Sequence, residues 1–274
     1  MPNDSASGAA DALRRELANA LTFHTSFDRG PNADFALGDP TLYSASAEGA
    51  LIVGLGDPPV TIAEGRGKYG SALEMTVENT HVVLYKAERN VAYSADAFRG
   101  TVSFWLSVDT DEIPARYCDP LQVTDKKYSD ACIWVDITKN DTPPDLRLGV
   151  FGDASEWDPE QKEGGGERFF WRLAKVVEPT FAKGHWTHVV ITWDGINDSQ
   201  NGRARLYFDG VYQGATGRIA ERFTWDIGNA NIRLGTGQFV GLFDDLAFFN
   251  RALTPDEIRL LNGLSGGVAD LRPT

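Results

Sequence analysis

Alternation along four strand-like runs turns chemistry-bearing side chains away from their apolar neighbours. In Thr101–Asp109 (TVSFWLSVD), Val102, Phe104, Leu106 and Val108 share one side, which leaves Ser103, Trp105 and Ser107 on the other. In Ala131–Thr138 (ACIWVDIT), inward Ile133 and Val135 would put Cys132, Trp134 and Asp136 outside. The same logic sets Arg147 opposite Leu146 and Leu148, and His81, Val83 and Tyr85 opposite Val82 and Leu84. If these strands share a concave sheet, Trp105, Trp134, Tyr85, His81, Asp136 and Arg147 line one groove. Rings that stack on sugar faces, beside a carboxylate and a guanidinium that bond hydroxyls or acids, are what a glycan site requires. The alternative is that long connections cover this face and the rings form a second core.

Other chemical signatures are weaker. Gly65-Arg66-Gly67-Lys68-Tyr69-Gly70 satisfies the dinucleotide fingerprint letter by letter, yet a strand-like run follows it instead of the helix N-terminus that would receive a pyrophosphate. It reads as a turn. Gly263-Leu264-Ser265-Gly266-Gly267 matches a nucleophile elbow but follows a helix in a tail, and reads as a C-cap and linker. The four histidines lack metal-ligand spacing on a helix, so a catalytic zinc is not expected. Cys118 and Cys132 are too few for a disulfide scaffold. They are expected either to pair, if the protein works outside the cytoplasm, or to be two small reduced core residues.

The elements that must position these residues are mostly strands. Besides the runs above, Leu21–Phe27, Ala72–Val77, His81–Lys86, Asp145–Phe151, Arg168–Leu173, Trp186–Trp193, Ala204–Phe208, Asn231–Leu234 and Leu242–Phe249 read as strands between Gly, Pro, Asn and Asp clusters. Asp209-Gly210 supplies a tight hairpin turn. Helices are expected only at Asp11–Leu21, with apolar residues at three- and four-residue spacing, and at Thr254–Asn262, with an N-cap Thr, Pro at the first helical position and Glu257 three residues after the cap. The chain has 274 residues, 42% of them hydrophobic, enough for one large domain. Its net charge of −13 argues against a nucleic-acid partner. No apolar run approaches a membrane span, so membrane insertion is not expected. Met1–Ser7 lacks the basic and apolar regions of a signal peptide. The expected location is extracytoplasmic, as a secreted mature form, with the cytoplasm left open.

Several segments together resemble the laminin-G-like, concanavalin A-like jelly-roll family. They are Gly67–Leu73 (GKYGSAL), Thr101–Trp105 (TVSFW), His185–Val190 (HWTHVV), Ala204–Gly210 (ARLYFDG) and above all Gly241–Thr254 (GLFDDLAFFNRALT), in the order such domains use. The resemblance implies an all-β, two-sheet antiparallel jelly-roll sandwich with short peripheral helices at both ends. Residues 1–20 would be an N-terminal tail and helix, 21–263 the jelly roll and 264–274 a C-terminal tail. It also implies that Asp28 and Asp244, at positions that in relatives tend to hold a structural calcium ion, clamp the first strand to the last; solvated loop carboxylates are the alternative. The stretch Tyr117–Trp157 departs from a minimal domain of this kind, and whatever is particular to the protein is expected there.

Fold does not choose function. The first expectation is a carbohydrate- or glycoconjugate-binding domain with structural calcium. The second is a polysaccharide lyase or glycosidase in the same groove, the lyase using His81 or Tyr85 as base and Arg147 to neutralise a uronate, the glycosidase needing a second carboxylate beside Asp136. The E-x-D-x-x-E run of the glucanases that share this sandwich does not occur. A third is an adhesion module with protein partners.

Overall fold

A computed structural model describes residues 3–45, 50–56, 60–76, 82–113, 117–138, 145–160, 166–198 and 201–272. The first half of the chain runs α1 (Asn3–Ala20), β1 (Leu21–Thr25), β2 (Phe35–Ala36), β3 (Tyr43–Ala45), β4 (Leu51–Val53), β5 (Val60–Ala63), β6 (Ala72–Met75), β7 (Val82–Lys86), β8 (Phe98–Ser107), β9 (Tyr117–Thr124) and β10 (Cys132–Thr138). Then come β11 (Asp145–Phe151), α2 (Ala154–Trp157), α3 (Glu167–Trp171), β12 (Leu173–Val177), β13 (Thr187–Ile196), β14 (Arg203–Phe208), β15 (Val211–Ala215), β16 (Asn231–Thr236), β17 (Gly241–Phe249) and α4 (Pro255–Asn262), followed by a 3₁₀ turn at Gly267–Leu271.

Two antiparallel sheets form a sandwich of the concanavalin A-like jelly-roll kind. One has the order β15-β14-β13-β8-β17-β1-β2, with β6 also on β17 and β5 on β6; the other has the order β12-β11-β10-β9-β16-β7-β3-β4. Strands far apart in sequence lie side by side, as β16 does between β9 and β7. Alternation explains the interior. Val102, Phe104 and Leu106 of the first sheet meet Ile133, Val135, Leu146 and Leu148 of the second in one continuous core. Asp209 and Gly210, both at positive φ, close the β14–β15 hairpin as the Asp-Gly pair requires.

The outer face of the first sheet is covered. Leu17 and Ala20 of α1, Ile258 and Leu261 of α4, and Val268 and Leu271 of the terminal 3₁₀ turn pack on Val190, Tyr207, Ala247 and Phe249. Burying a residue such as Leu17 contributes roughly 1.5–3 kcal/mol, so the chain ends are held by their apolar stripes. Helix α4 starts as its sequence dictates, with the Thr254 side chain accepting from the Glu257 N–H and Glu257 returning a bond to the cap. Helix α1 reaches further toward the N-terminus than the spacing of its leucines shows.

One expected strand needs correction, and two further expectations take definite form. Arg168–Leu173 is not a strand: Gly166, at φ 103, opens the one-turn helix α3, which buries Phe169 against Phe151 and leaves β12 to begin at Leu173. The stretch Tyr117–Trp157, where what is particular to the protein is expected, supplies the adjacent strands β9, β10 and β11. Of the two readings of the cysteines the reduced one holds, since both are free and buried and the pairing is excluded. Cys118 is opposite Ile137, five residues along β10 from Cys132, or roughly 17 Å at strand rise. They also face opposite sides of the sheet, Cys118 in the main core and Cys132 in an outer cluster, and burial pushes both thiols up.

Candidate pocket on the outer face of the second sheet

Outward residues of β10 and β11 meet different surroundings at the two ends of their strands. At one end Cys132, Trp134 and Phe151 are roofed by Trp157 and Phe169 into a small second core. Trp134 stacks on Phe151 at 5.7 Å and donates its indole N–H to the Tyr128 carbonyl at 2.8 Å; Trp157 donates to the Ser129 carbonyl at 2.9 Å. The two indoles thereby pin the turn between β9 and β10. Trp134 also lies across Gly149, its partner on β11, where a Cβ would run into the indole ring. Glycine is required there by close approach rather than by backbone angle.

At the other end the face stays open. A pocket of about 420 Å³ has Trp134, Asp136 and Arg147 along its floor, Tyr117 and Asp119 on one side, and Tyr128, Phe169 and Phe170 on the others. Tyr117, Tyr128 and Phe170 are 43%, 39% and 60% exposed, so they are the rings a ligand can reach. Asp136 and Arg147 are cross-strand partners, the closest unit of side-chain pairing in a sheet. Arg147 donates from Nε to Asp136 Oδ1 at 2.8 Å and from Nη2 to Oδ2, a fork-to-carboxylate pair. Its guanidinium carbon lies 5.3 Å from the Tyr117 ring centroid and 5.8 Å from that of Trp134.

Asp119 enters through a β-bulge. The pairs Val135–Leu121 and Ile137–Cys118 leave one extra residue on β9, where Pro120 also escapes the need to donate a ladder bond. Its Oδ2 accepts from Thr236 Oγ1 at 3.1 Å and from Gln122 Nε2. Burial, reinforced by the Asp136 charge, raises the Asp119 pKa to about 7 against the help of those bonds and of Arg147.

Of the six residues expected in one groove, the structure brings together Trp134, Asp136 and Arg147. Trp134 is only 2% exposed, so it is floor and not platform. Tyr85 faces the other way: it is buried in the main core, 4.8 Å from Phe23, with its hydroxyl donating to the Pro31 carbonyl at 2.6 Å. The reason is phase, since Val83 and Tyr85 pack inward and Val82 is the partly exposed residue. Trp105 belongs to the first sheet. There it stacks on His188 at 4.8 Å, with Tyr69 edge-on at 5.8 Å and the Lys68 ammonium 4.3 Å from its ring centroid. Burial lowers the His188 pKa to about 3, which leaves it neutral beside Ser103 Oγ at 2.8 Å. His81 lies outside the described residues. Sequence reasoning missed Tyr117, Asp119, Tyr128, Phe169 and Phe170, of which Asp119 carried a signal in the Asp-Pro step that marks the bulge.

Asp28 and Asp244 converge on the loop joining β5 and β6 from opposite ends of the chain. Asp28 Oδ1 accepts the Ser71 N–H at 2.7 Å, and Asp244 Oδ2 accepts the Tyr69 N–H at 2.9 Å. Asp244 is fully buried, its Oδ1 has no partner among the described residues, and burial followed by the charges of Asp245 and Asp28 lifts its pKa to about 7. Its neighbour Asp245, at φ 51 in a bulge of β17, turns the other way to His24 Nε2 at 2.8 Å and the Val268 N–H.

A larger cleft of about 730 Å³ includes Arg66, Glu74, Glu112, Lys183 and Trp186. Arg66 pairs with Glu74 at 2.6 Å and Lys183 with Glu112, Asp109 adds a further carboxylate, and Trp186 is its single ring among the described residues.

Residues 79–259, more than half of the chain, match the family described as the Concanavalin A-like lectin/glucanases superfamily. The chain belongs to this superfamily. Among solved structures it is similar to domain 4 of AbnA, an extracellular arabinanase from Geobacillus stearothermophilus in complex with arabinotriose, at 16% identity and TM-score 0.55 over 87% of this chain and 96% of that one. It is also similar to the binding domain of botulinum neurotoxin serotype D, at 12% identity and TM-score 0.58, and to botulinum neurotoxin type C, whose cell entry depends on two ganglioside molecules, at 11% identity and TM-score 0.59. Those matches cover 91% and 94% of this chain but 52% and 53% of the toxin chains, so the chain spans about half their length. Likeness at such identity shows the superfamily's sandwich and no more. No curated protein sequence matches the chain.

Proposed function

We propose that this sandwich is a carbohydrate-binding domain that seats a glycan in the pocket at Tyr117, Tyr128, Phe170, Asp136 and Arg147. One observation carries the reading: a 420 Å³ pocket on the outer sheet face combines three exposed rings with a fixed carboxylate–guanidinium pair. Aromatic rings cover the apolar faces of sugars, and charged groups held in place bond their hydroxyls without further ordering cost. That a structural neighbour is seen with arabinotriose and another is tied to gangliosides supports glycoconjugates as the partner class. A glycan array followed by calorimetry on its hits tests the reading, and failure of every glycan to bind would end it.

A glycosidase is the second reading, favoured by Asp119, whose pKa near 7 would suit a proton donor beside the ionised Asp136. Release of new reducing ends from a bound glycan, lost in Asp119→Asn, would convert the binding domain into an enzyme. The lyase reading loses Tyr85, which is on the opposite side of the sheet.

Calcium is proposed with a structural role. The all-oxygen chemistry at Asp28 and Asp244 fits a hard cation, and the orphaned, buried Asp244 Oδ1 is the atom such an ion would satisfy. Backbone carbonyls and water would have to complete the shell, since among the described residues no group of three metal-ligating side chains converges. Calcium should raise the melting temperature of the parent and leave Asp244→Asn unmoved; a parent indifferent to both calcium and chelator contradicts the proposal.

A further inference from the structure

The charge of the pocket narrows the ligand beyond "a glycan". We infer that the pocket takes neutral sugars and rejects those carrying a carboxylate, such as uronates and sialic acids; this rests on the pocket being the glycan site.

Arg147 is the one cation lining the pocket among the described residues, and its fork is already committed. Both Asp136 oxygens receive it, and the two side chains are only 13% and 6% exposed, so the pair is largely withdrawn from water. A ligand carboxylate could take the Nε–Nη2 edge of the guanidinium only by displacing Asp136, which would strand a buried carboxylate, a costly exchange at such depth, and at any other N–H it would meet a cation whose charge Asp136 already neutralises. It would also enter beside Asp119, a second carboxylate in the same wall. With Asp136 ionised against Arg147, the floor carries no net charge while Asp119 holds its proton and one negative charge once Asp119 loses it, near pH 7. At no point is it positive. The field of the whole chain, at −13, opposes an approaching anion as well.

Neutral sugars meet none of these penalties. Their hydroxyls can donate to carboxylate oxygens, and their C–H faces can lie on Tyr117, Tyr128 or Phe170 without disturbing the ion pair. The discrimination is therefore built from a repulsive element, two carboxylates around one neutralised guanidinium, as well as from the rings.

The test uses matched probes that differ only in the acid: oligogalacturonides and sialyllactose, each against its carboxyl-reduced form. Calorimetry on the full chain at pH 7.5 should show the neutral member of a bound pair at least tenfold tighter. Asp136→Asn, which frees the Arg147 fork, should shift preference toward the acidic member by about tenfold or more. Should that variant fail to fold, Asp119→Asn carries the test, by relieving the extra exclusion of acidic sugars that develops as the pH rises through 7. Equal or tighter binding of the acidic members by the parent protein overturns the inference while leaving the glycan site in place. If neither member of any pair binds and the array is empty, the site assignment itself is wrong, and the inference with it.

Discussion

The two outer faces of the sandwich begin alike and end differently. Each carries a tryptophan at the centre of a strand, turned away from the main core: Trp105 on β8 and Trp134 on β10. Each has a cation within 6 Å of its ring, Lys68 in one case and Arg147 in the other. Over Trp105 the sheet is sealed by the loop at Tyr69 and by His188, with α1, α4 and the terminal 3₁₀ turn covering the rest. Over Trp134 the roof made by Trp157 and Phe169 stops short, and the uncovered remainder is the pocket. Alternation tells which residues leave the core; it does not tell what lies above them. Covering decides whether an outward aromatic stripe becomes a second core or a binding site, and on this molecule it produces both.

The largest effects should be those of the two tryptophans. Trp134→Ala and Trp105→Ala are each expected to cost about 3–5 kcal/mol in chemical denaturation, because both rings are nearly fully buried. A Trp134→Ala protein of parental stability would mean that the roof at Trp157 and Phe169 is not formed, and the contrast between the faces would collapse. Next comes a pH effect to which each side contributes one raised carboxyl, Asp119 at the pocket and Asp244 at the first sheet. The folded pKa of Asp119, about 7, exceeds the ordinary aspartate value of 3.8, so between those values the folded state holds a proton that the unfolded state has lost. Stability should therefore fall as the pH rises from about 4 to 7, by at most about 4 kcal/mol from this group. Asp119→Asn should flatten that part of the profile, and an unchanged slope would show the group to be solvated. Smaller again, Gly149→Ala should destabilise by about 1–3 kcal/mol as the indole of Trp134 is forced aside. A neutral result would sharpen the comparison by showing that the floor of the pocket can yield.

Much of this organisation was legible in the sequence, and its failures have specific causes. The runs around Val102–Val108 and Leu146–Val150 alternate cleanly because the side facing the main core is uniformly apolar while the other carries Ser103, Ser107 and Arg147. Helix α4 was legible because Thr254, Pro255 and Glu257 are local instructions. Tyr85 was placed on the wrong face because β7 offers apolar residues on both sides, Leu84 being 4% exposed and Tyr85 fully buried, so the pattern has no preferred phase. Trp105 and Trp134 were placed in one groove because alternation is blind to sheet membership, which is fixed by pairings between distant strands such as β16 with β9. Strand β9 was overlooked because Asp119-Pro120 looks like a turn and is in fact a bulge. Phe170 could not be found from spacing, since its place at the pocket comes from the one-turn helix α3.

The most direct test of the claim that the uncovered face is the glycan site is one calorimetric comparison of the parent with Tyr117→Ala and Phe170→Ala against the same neutral oligosaccharide. Both rings are exposed, so the melting temperature should hold, with stability changing by less than about 0.5 kcal/mol. Binding should weaken by tenfold or more in each variant. Unchanged affinity in both, with the parent binding normally, would move the site elsewhere on the molecule and contradict the claim.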